Sequence, residues 1–202
     1  MRARNILFVM AVVLLVLAAV AIYYARRGFS AREQPTVLEA RLASLVRNAA
    51  TPRGAKRARN PVPATEDNLR AGMAHWADHC AICHDNNGSG GSEIGKNLYP
   101  KAPDMRLPHT QGLSDGELYY IIQNGVRLTG MPAWGVRGDG DRNEDSWKLV
   151  LFIRHLPSLT RAEEQEMEEL NPRSPQELQE EKEEQDFLSG GEPKPPLHRH
   201  HH

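Results

Sequence analysis

The two cysteines of the chain lie three residues apart and are followed at once by a histidine, in Cys80-Ala81-Ile82-Cys83-His84. At this spacing, two thiols at the end of a helix and on the next turn can each bond to one vinyl group of a haem. The adjacent imidazole can then bind the iron. With no third cysteine, a disulfide framework is excluded. The motif predicts one covalent haem c, held by Cys80 and Cys83, with His84 as the proximal iron ligand.

Two other chemistries use closely spaced cysteines, and both fit this sequence less well. A thioredoxin-like dithiol is expected after a β-strand, whereas the residues before Cys80 have a helical pattern. A zinc site needs about four ligands. His75 and His79 could supply two of them, but there is no second cysteine pair. The motif therefore favours haem.

Apolar periodicity and capping signals predict three helices around the motif. The first begins after Thr65 and ends near Cys80. The second begins with a capping box at Ser114, and the third ends at Pro157. The segment 97–108 contains three prolines and is expected to be extended. These elements predict an all-α fold.

The order of these elements resembles that of a class I c-type cytochrome. An amphipathic helix ends in the attachment motif, and a proline-rich loop and a middle helix follow it. Next comes a methionine in Thr129-Gly130-Met131-Pro132-Ala133-Trp134, and then a final helix rich in aromatic residues. The resemblance covers residues 67–156, under half of the chain. It implies a small haem-binding helical domain that transfers electrons and is not an enzyme.

The resemblance also implies a second axial ligand downstream of His84, usually a methionine. Met131 fits this distal position because glycine and proline flank it at a turn, while Met105 and His109 remain as alternatives. In the family, a proline carbonyl after the motif accepts a hydrogen bond from the proximal histidine. Pro100 and Pro103 are both candidates for that carbonyl, and Pro100 is preferred.

A glycine in the first helix matches the family's helix crossing. Gly72 lies eight residues before Cys80, with Trp76 one turn later. A residue without a side chain there would let the final helix approach closely. Leu149 and Phe152 of that helix are expected to face inward.

The N-terminal segment is apolar enough to cross a membrane. Residues 6–24 carry no charge and precede Arg26 and Arg27, and 19 helical residues span about 28 Å. A cleaved signal peptide is the alternative, since Ala19-Val20-Ala21 offers a small-x-small cleavage site. The length of the run and the interfacial pair Tyr23-Tyr24 favour an uncleaved anchor.

Charge is distributed unevenly along the chain and suggests four segments. They are a membrane anchor (1–27), a basic helix and linker (28–63), the cytochrome domain (64–159) and an acidic tail with a His-rich end (160–202). The tail has few apolar residues, so we expect short solvated helices that add nothing to the core. Four terminal histidines predict weak metal binding: His198, His200, His201 and His202.

These features predict a cytochrome in the cytoplasmic membrane, with one transmembrane helix and its haem domain in the periplasm. Its role would be to transfer single electrons between respiratory or other redox protein partners. A fixed cytochrome subunit of an oxidase or dehydrogenase complex is the alternative, and a haem-based sensor of small ligands is a further one. Aromatic residues do not interleave with the basic run, so the sequence predicts no binding of nucleic acid.

Overall fold

The computed structural model of the chain describes residues 2–27, 30–136 and 143–190, and within these ranges it is helical with no β-strand. The all-α prediction is confirmed. The helices are α1 (Arg2–Arg27), α2 (Val37–Ala50), α3 (Arg53–Arg57), α4 (Glu66–His75), α5 (Ala81–His84), α6 (Pro108–Gln111), α7 (Asp115–Asn124), α8 (Glu144–His155), α9 (Arg161–Leu170) and α10 (Pro175–Leu188).

Helix α1 is the one element in the described ranges that is long and apolar enough to cross a membrane. Residues 4–26 form a span with a mean hydropathy of 3.1, and none of its most apolar part is buried inside the protein. An N-terminal anchor and a signal sequence both have these properties. The apolar helix agrees with membrane anchoring.

The core forms where α4 crosses α8. A methyl group at Gly72 would meet the backbone carbonyl of Lys148 and lie 3.2 Å from Cβ of Phe152. Trp76, Leu149 and Phe152 are all buried in the shared core. The predicted close approach at Gly72 is confirmed, because only glycine leaves room for the backbone of α8.

Helix α7 closes one side of this crossing through polar and aromatic contacts. Tyr119 stacks on Trp147 with ring centroids 4.1 Å apart. Nε2 of Gln123 donates to the hydroxyl of Ser146 over 2.6 Å. The capping box at Ser114 is present as predicted, because its hydroxyl accepts from the backbone N–H of Glu117.

The end of α8 is joined to the α6–α7 connection by Arg154. Its Nε lies 2.9 Å from Oδ1 of Asp115, and its Nη1 donates to the carbonyl of Gln111 over 2.8 Å. Nε2 of Gln111 in turn donates to the carbonyls of Met105 and Ile153. This network fixes the segment between the proline-rich loop and α7.

The segment before the cytochrome fold is packed against it, whereas the sequence predicted a plain linker there. A methyl group at Gly116 of α7 would run into Ala55 and Ala58. Val62 belongs to the core, and Nδ2 of Asn60 donates to the carbonyl of Trp147 over 2.8 Å. The sequence did not reveal this packing, because these contacts join residues far apart in sequence.

Helix α9 corrects a second expectation, that the acidic helices add nothing to the core. Met167 is completely buried in the main apolar cluster. Glu163 lies 2.8 Å from Nε2 of His155, and Glu166 lies 3.4 Å from Nη1 of Arg70. One buried apolar side chain and two polar contacts therefore hold this helix against the domain.

The solvated-helix expectation does fit α10. Its described apolar side chains are exposed, including Leu178, Phe187 and Leu188. The terminal histidines His198, His200, His201 and His202 lie outside the described residues, so their metal binding stays a prediction. The four proposed segment boundaries also stay predictions.

Candidate haem site

The attachment motif lies at the end of one continuous helical stretch. After α4, residues Trp76–Cys80 form a π-helical turn, in which the N–H of Ala81 donates to the carbonyl of Trp76, and α5 then carries the motif to His84. The sequence predicted an ordinary helix ending near Cys80. The extra residue in this turn changes the direction of every later side chain by about 100°.

The two cysteines are unpaired thiols that lie near each other. Cys80 packs against the core, and burial together with the proximity of Cys83 raises the pKa of Cys80 to about 12. Burial also raises the pKa of Cys83. Both thiols are therefore protonated at neutral pH.

The imidazole of His84 is largely enclosed by protein. Its ring lies 5.7 Å from that of Trp76. Burial lowers the pKa of His84, and a contact with the carbonyl of Pro103 partly opposes this effect. Nδ1 is buried but makes no well-aligned hydrogen bond, so the Pro103 carbonyl faces the ring without completing one. A neutral imidazole keeps a lone pair free for a metal ion.

The chain reverses direction immediately after His84, at Asp85. This residue has φ 66° and ψ 157°, a conformation that side chains rarely adopt. Several hydrogen bonds offset the strain. The Asp85 carbonyl accepts from the indole N–H of Trp76 over 3.1 Å, and its carboxylate accepts from the N–H of Asn86 and the hydroxyl of Ser89.

A second turn holds the carbonyl end of α5. The hydroxyl of Ser92 donates to the carbonyls of Ile82 and Cys83 over 2.8 Å and 3.0 Å. Gly95 lies directly against the Cys83 carbonyl, where a methyl group would not fit. This turn therefore holds the backbone of the motif in place.

Met131 belongs to a compact loop that follows α7. Its carbonyl accepts from the N–H of Val126 over 3.1 Å, and its N–H donates to the hydroxyl of Thr129 over 3.1 Å. Gly125, with φ 65°, lets the loop fold back over the end of α7. The Met131 side chain itself is only half-buried.

Contacts on either side place this loop beside the attachment motif. Gly130 touches Leu98, which follows the turn that supports Cys83. On the other side, the ring of Trp134 meets that of His79 edge to face, with centroids 5.4 Å apart. The Met131 loop therefore bridges two segments that flank the cysteines.

The alternative distal candidates have other surroundings. Sδ of Met105 lies 3.9 Å from the hydroxyl of Thr110, and the side chain packs against the core. The N–H of Met105 donates to the carbonyl of Gly88 over 2.7 Å. His109 is exposed on α6. Met105 is thus already engaged in packing.

The sequence of the residues that form this site was compared with known protein families. The family model described as "Cytochrome C oxidase, cbb3-type, subunit III" matches residues 67–153. These residues form a c-type cytochrome domain. No curated protein matches the chain. Domains of this type carry electrons by means of a covalently bound haem c.

The residues of the cytochrome domain fit such a haem. Two neighbouring thiols, one largely buried imidazole and a nearby thioether are the groups that haem c uses, the thiols for covalent attachment and the other two as iron ligands. Large apolar side chains of the surrounding loops are exposed to solvent, among them Ile94, Tyr99, Leu107 and Trp134. Exposed apolar groups around such a donor set are what a large apolar ring would cover.

Sequence reasoning missed several residues that position this site. Asp85 and Ser92 hold the ends of the motif by hydrogen bonds, and Gly95 makes room for the Cys83 carbonyl. Asp, Ser and Gly are frequent in any turn, so their types alone do not reveal this role. The preference for Pro100 was wrong, because the carbonyl that faces His84 is that of Pro103.

Proposed function

We propose that this chain is a membrane-anchored cytochrome with one haem, which transfers single electrons on the periplasmic side of the membrane. The observation that carries the proposal is the grouping of Cys80, Cys83 and His84 on α5 and the turn before it, with the Met131 loop beside them. One attachment motif in the whole sequence supports a single haem.

Cys80 and Cys83 would hold the haem through thioether bonds to its vinyl groups. Their spacing on a rigid helical turn fixes both sulfur atoms relative to His84, and the hydrogen bonds from Ser92 keep that turn in place. Covalent attachment lets a small domain retain a large cofactor, because the haem cannot dissociate when the domain opens locally.

His84 would supply Nε2 to the iron while Nδ1 faces the protein. The Pro103 carbonyl is positioned to orient the ring through Nδ1 once the imidazole aligns, which strengthens the ligand. Met131 would provide the distal thioether sulfur. A His/Met pair raises the reduction potential relative to two histidines and leaves no open coordination position.

The haem supplies a one-electron couple between ferric and ferrous iron. The protein contributes rigidity, since Trp76 lies against His84 and Gly125 and Thr129 hold the Met131 loop. Ligands that stay in place in both oxidation states keep the reorganisation energy small. The low-dielectric core around the ring further stabilises one charge state over the other.

Anchoring is supported by α1, and the side of the membrane is supported by chemistry. Covalent haem attachment takes place outside the cytoplasm, so the domain would lie in the periplasm with α1 as a single span. We expect the protein to be recovered with membranes and its mature form to retain residues 6–24. A soluble protein starting near Ile22 would show that α1 is a cleaved signal.

A second role is favoured by the matching family itself, which is described as a subunit of an oxidase. The chain would then be a fixed subunit that delivers electrons within a larger complex. Purification in mild detergent separates the two roles. A free carrier elutes alone with its haem, whereas a subunit elutes with stoichiometric partner chains.

The decisive experiment for the proposed site is haem retention on a denaturing gel. Protein made together with a haem-attachment system should keep peroxidase-active haem after boiling, with a pyridine haemochrome spectrum typical of two thioethers. Cys80→Ser and Cys83→Ser should each shift that spectrum towards one thioether, and the double variant should lose the haem. Haem that is extracted from the parent by acid and acetone would overturn the proposal.

A further inference from the structure

Helix α2 carries an apolar face that no part of the described protein covers. None of its residues is buried, and Leu38, Leu42 and Leu45 are 66%, 52% and 65% exposed. These three leucines recur at helical spacing and therefore form one stripe. The helix is well formed, because Thr36 and Glu39 make a complete capping box at its start.

The helix that carries the stripe is connected to the domain near both of its ends. Nζ of Lys56 donates to the carbonyl of Asn48 over 2.6 Å, and the buried Thr51 donates its hydroxyl to the carbonyl of Arg47. Near the other end of α2, the hydroxyl of Tyr99 lies 3.4 Å from Oε1 of Glu39. Helix α2 is thus joined at its C-terminal end to α3, which packs against α7, and it touches the domain at Tyr99, while the leucines face outward.

Charge and position indicate what covers this stripe. Residues 26–59 contain nine arginine and lysine residues against two glutamates. Nine residues separate the end of α1 from the start of α2 and span at most about 32 Å when extended. Helix α2 must therefore lie close to the membrane surface that α1 leaves.

We propose that α2 lies in the headgroup layer of the membrane, with Leu38, Leu42 and Leu45 against the acyl chains and the surrounding cations on anionic lipid phosphates. This proposal rests on anchoring by α1. An amphipathic helix with a basic polar face binds such a surface through buried apolar area and electrostatic attraction together. The contacts of α2 with the domain would then set the orientation of the haem site above the membrane.

A protein partner fits the stripe less well. A helix of this length is about 21 Å long and about 10 Å wide, so one face offers a few hundred Å², below the roughly 800 Å² per partner of a stable interface. Two copies meeting through α2 would also bring like-charged segments together. A lipid surface requires neither a matched shape nor a larger area.

The test uses the full haem-loaded chain in nanodiscs of phosphatidylcholine and phosphatidylglycerol. Leu42→Cys and Ser44→Cys each receive the fluorophore NBD. These positions are both exposed and lie about 200° apart around the helix. We expect blue-shifted emission at position 42 and at least about twofold stronger quenching by nitroxide-labelled lipid there than at position 44.

Controls separate this proposal from those on which it rests. The parent chain should take up no NBD, because Cys80 and Cys83 are blocked by haem; labelling of the parent would contradict the haem assignment instead. If α1 proves to be cleaved, the same labelled variants mixed with vesicles still report on α2. In the double variant Leu38→Glu, Leu45→Glu, the fluorophore at position 42 should be exposed to water, so its emission should no longer be blue-shifted.

Two outcomes would overturn the proposal. Equal emission and equal lipid quenching at positions 42 and 44 would mean that α2 stays in water. Blue-shifted emission at position 42 without quenching by nitroxide lipid would mean that protein, such as a second copy of the chain, covers the stripe. Loss of lipid quenching on replacing phosphatidylglycerol with phosphatidylcholine, or on raising the salt concentration, would support the electrostatic part.

Discussion

The ring of Trp134 meets that of His79 edge to face, with centroids 5.4 Å apart. His79 directly precedes Cys80, and Trp134 lies three residues after Met131. The contact therefore connects the attachment motif to the loop that carries the proposed distal ligand. The backbone N–H of Trp134 also donates to the carbonyl of Ile122 over 3.1 Å, which fixes the loop to α7.

Trp134→Ala should loosen the Met131 loop, because an aromatic pair of this kind contributes about 0.5–1.5 kcal/mol. We expect cyanide or imidazole to displace the distal ligand of ferric protein roughly twofold to tenfold more readily, corresponding to that energy. Trp134→Phe should restore most of the parent behaviour. Leu128→Ala, in the same loop at a side chain that is 91% exposed, is the matched control. Equal effects of Trp134→Ala and Leu128→Ala would rule out the contact as the cause.

Met131→Ala should remove the weak red charge-transfer band that marks methionine bound to ferric haem. It should also lower the reduction potential and allow carbon monoxide to bind ferrous iron, since a thioether ligand favours the reduced state. Met105→Ala should keep the band but lower thermal stability, because Met105 packs against the core. His109→Ala should change neither property. Loss of the band in Met105→Ala with retention in Met131→Ala would reverse the assignment.

Gly72→Ala should destabilise the domain by about 1–3 kcal/mol, as overpacked contacts between elements do. The added methyl group would meet the Lys148 carbonyl and push α8 away from α4. Gly54→Ala is the matched control in α3, where nothing lies within 4 Å of the new methyl group. That change should instead stabilise the protein by about 0.5–1 kcal/mol. Unfolding in guanidinium, followed by Soret absorbance, measures both.

Met167→Ala should cost about 2–4 kcal/mol, in line with other large-to-small changes in a core. Truncation after Leu159 should likewise lower the melting temperature, contrary to the expectation from sequence that the tail is dispensable. Leu178→Ala, on an exposed side chain of α10, should have no measurable effect. A truncated protein that melts like the full chain would mean that the packing of α9 contributes no stability.

Acid should remove the stabilising effect of Glu163. Burial opposes ionisation of this carboxyl, but hydrogen bonds from the backbone and hydroxyl of Thr160 and from His155 outweigh it and lower the pKa of Glu163 below its usual value. A carboxyl with a lowered pKa stabilises the fold at pH values above its unfolded pKa, and this contribution is lost as the pH falls through the folded pKa.

The parent should therefore be more stable than Glu163→Gln at pH 7, and the difference should shrink as the pH drops below the usual glutamate pKa of 4.5. Melting temperatures of both proteins between pH 7 and acid measure this difference. Glu168→Gln, at an exposed position of the same helix, is the control and should show no such trend. A constant difference across the range would contradict the role given to the hydrogen bonds of Glu163.

Local features of the sequence were sufficient to predict most of the helices and the chemistry of the motif. The capping box at Ser114 and the apolar spacing after it place α7, and both depend on residues three or four apart. Gly72 was identified because its distance from Cys80 matched a known helix crossing, and the Lys148 and Phe152 contacts confirm it. For Met131 the same kind of local context yields a prediction that awaits spectroscopy.

Long-range packing could not be predicted in this way. Met167 is one apolar residue in a glutamate-rich helix, and its burial depends on the space that α4 and the following turn leave open. Asn60 and Val62 lie in a segment that was predicted to be a linker. Asn60 nevertheless bonds to Trp147 of α8, more than 80 positions away, and Val62 is part of the core. The average composition of a segment does not show which single residue in it makes a long-range contact.

The sequence by itself determined that the chain carries one cysteine pair beside a histidine, one long apolar helix and a helical domain between two oppositely charged ends. Only the tertiary structure decided that Trp76–Cys80 form a π-turn, that Pro103 faces His84, and that α9 completes the core. The physical reason is that capping and periodicity act within one turn of chain. The direction of a side chain in the folded protein is set by whichever distant surface excludes water from it.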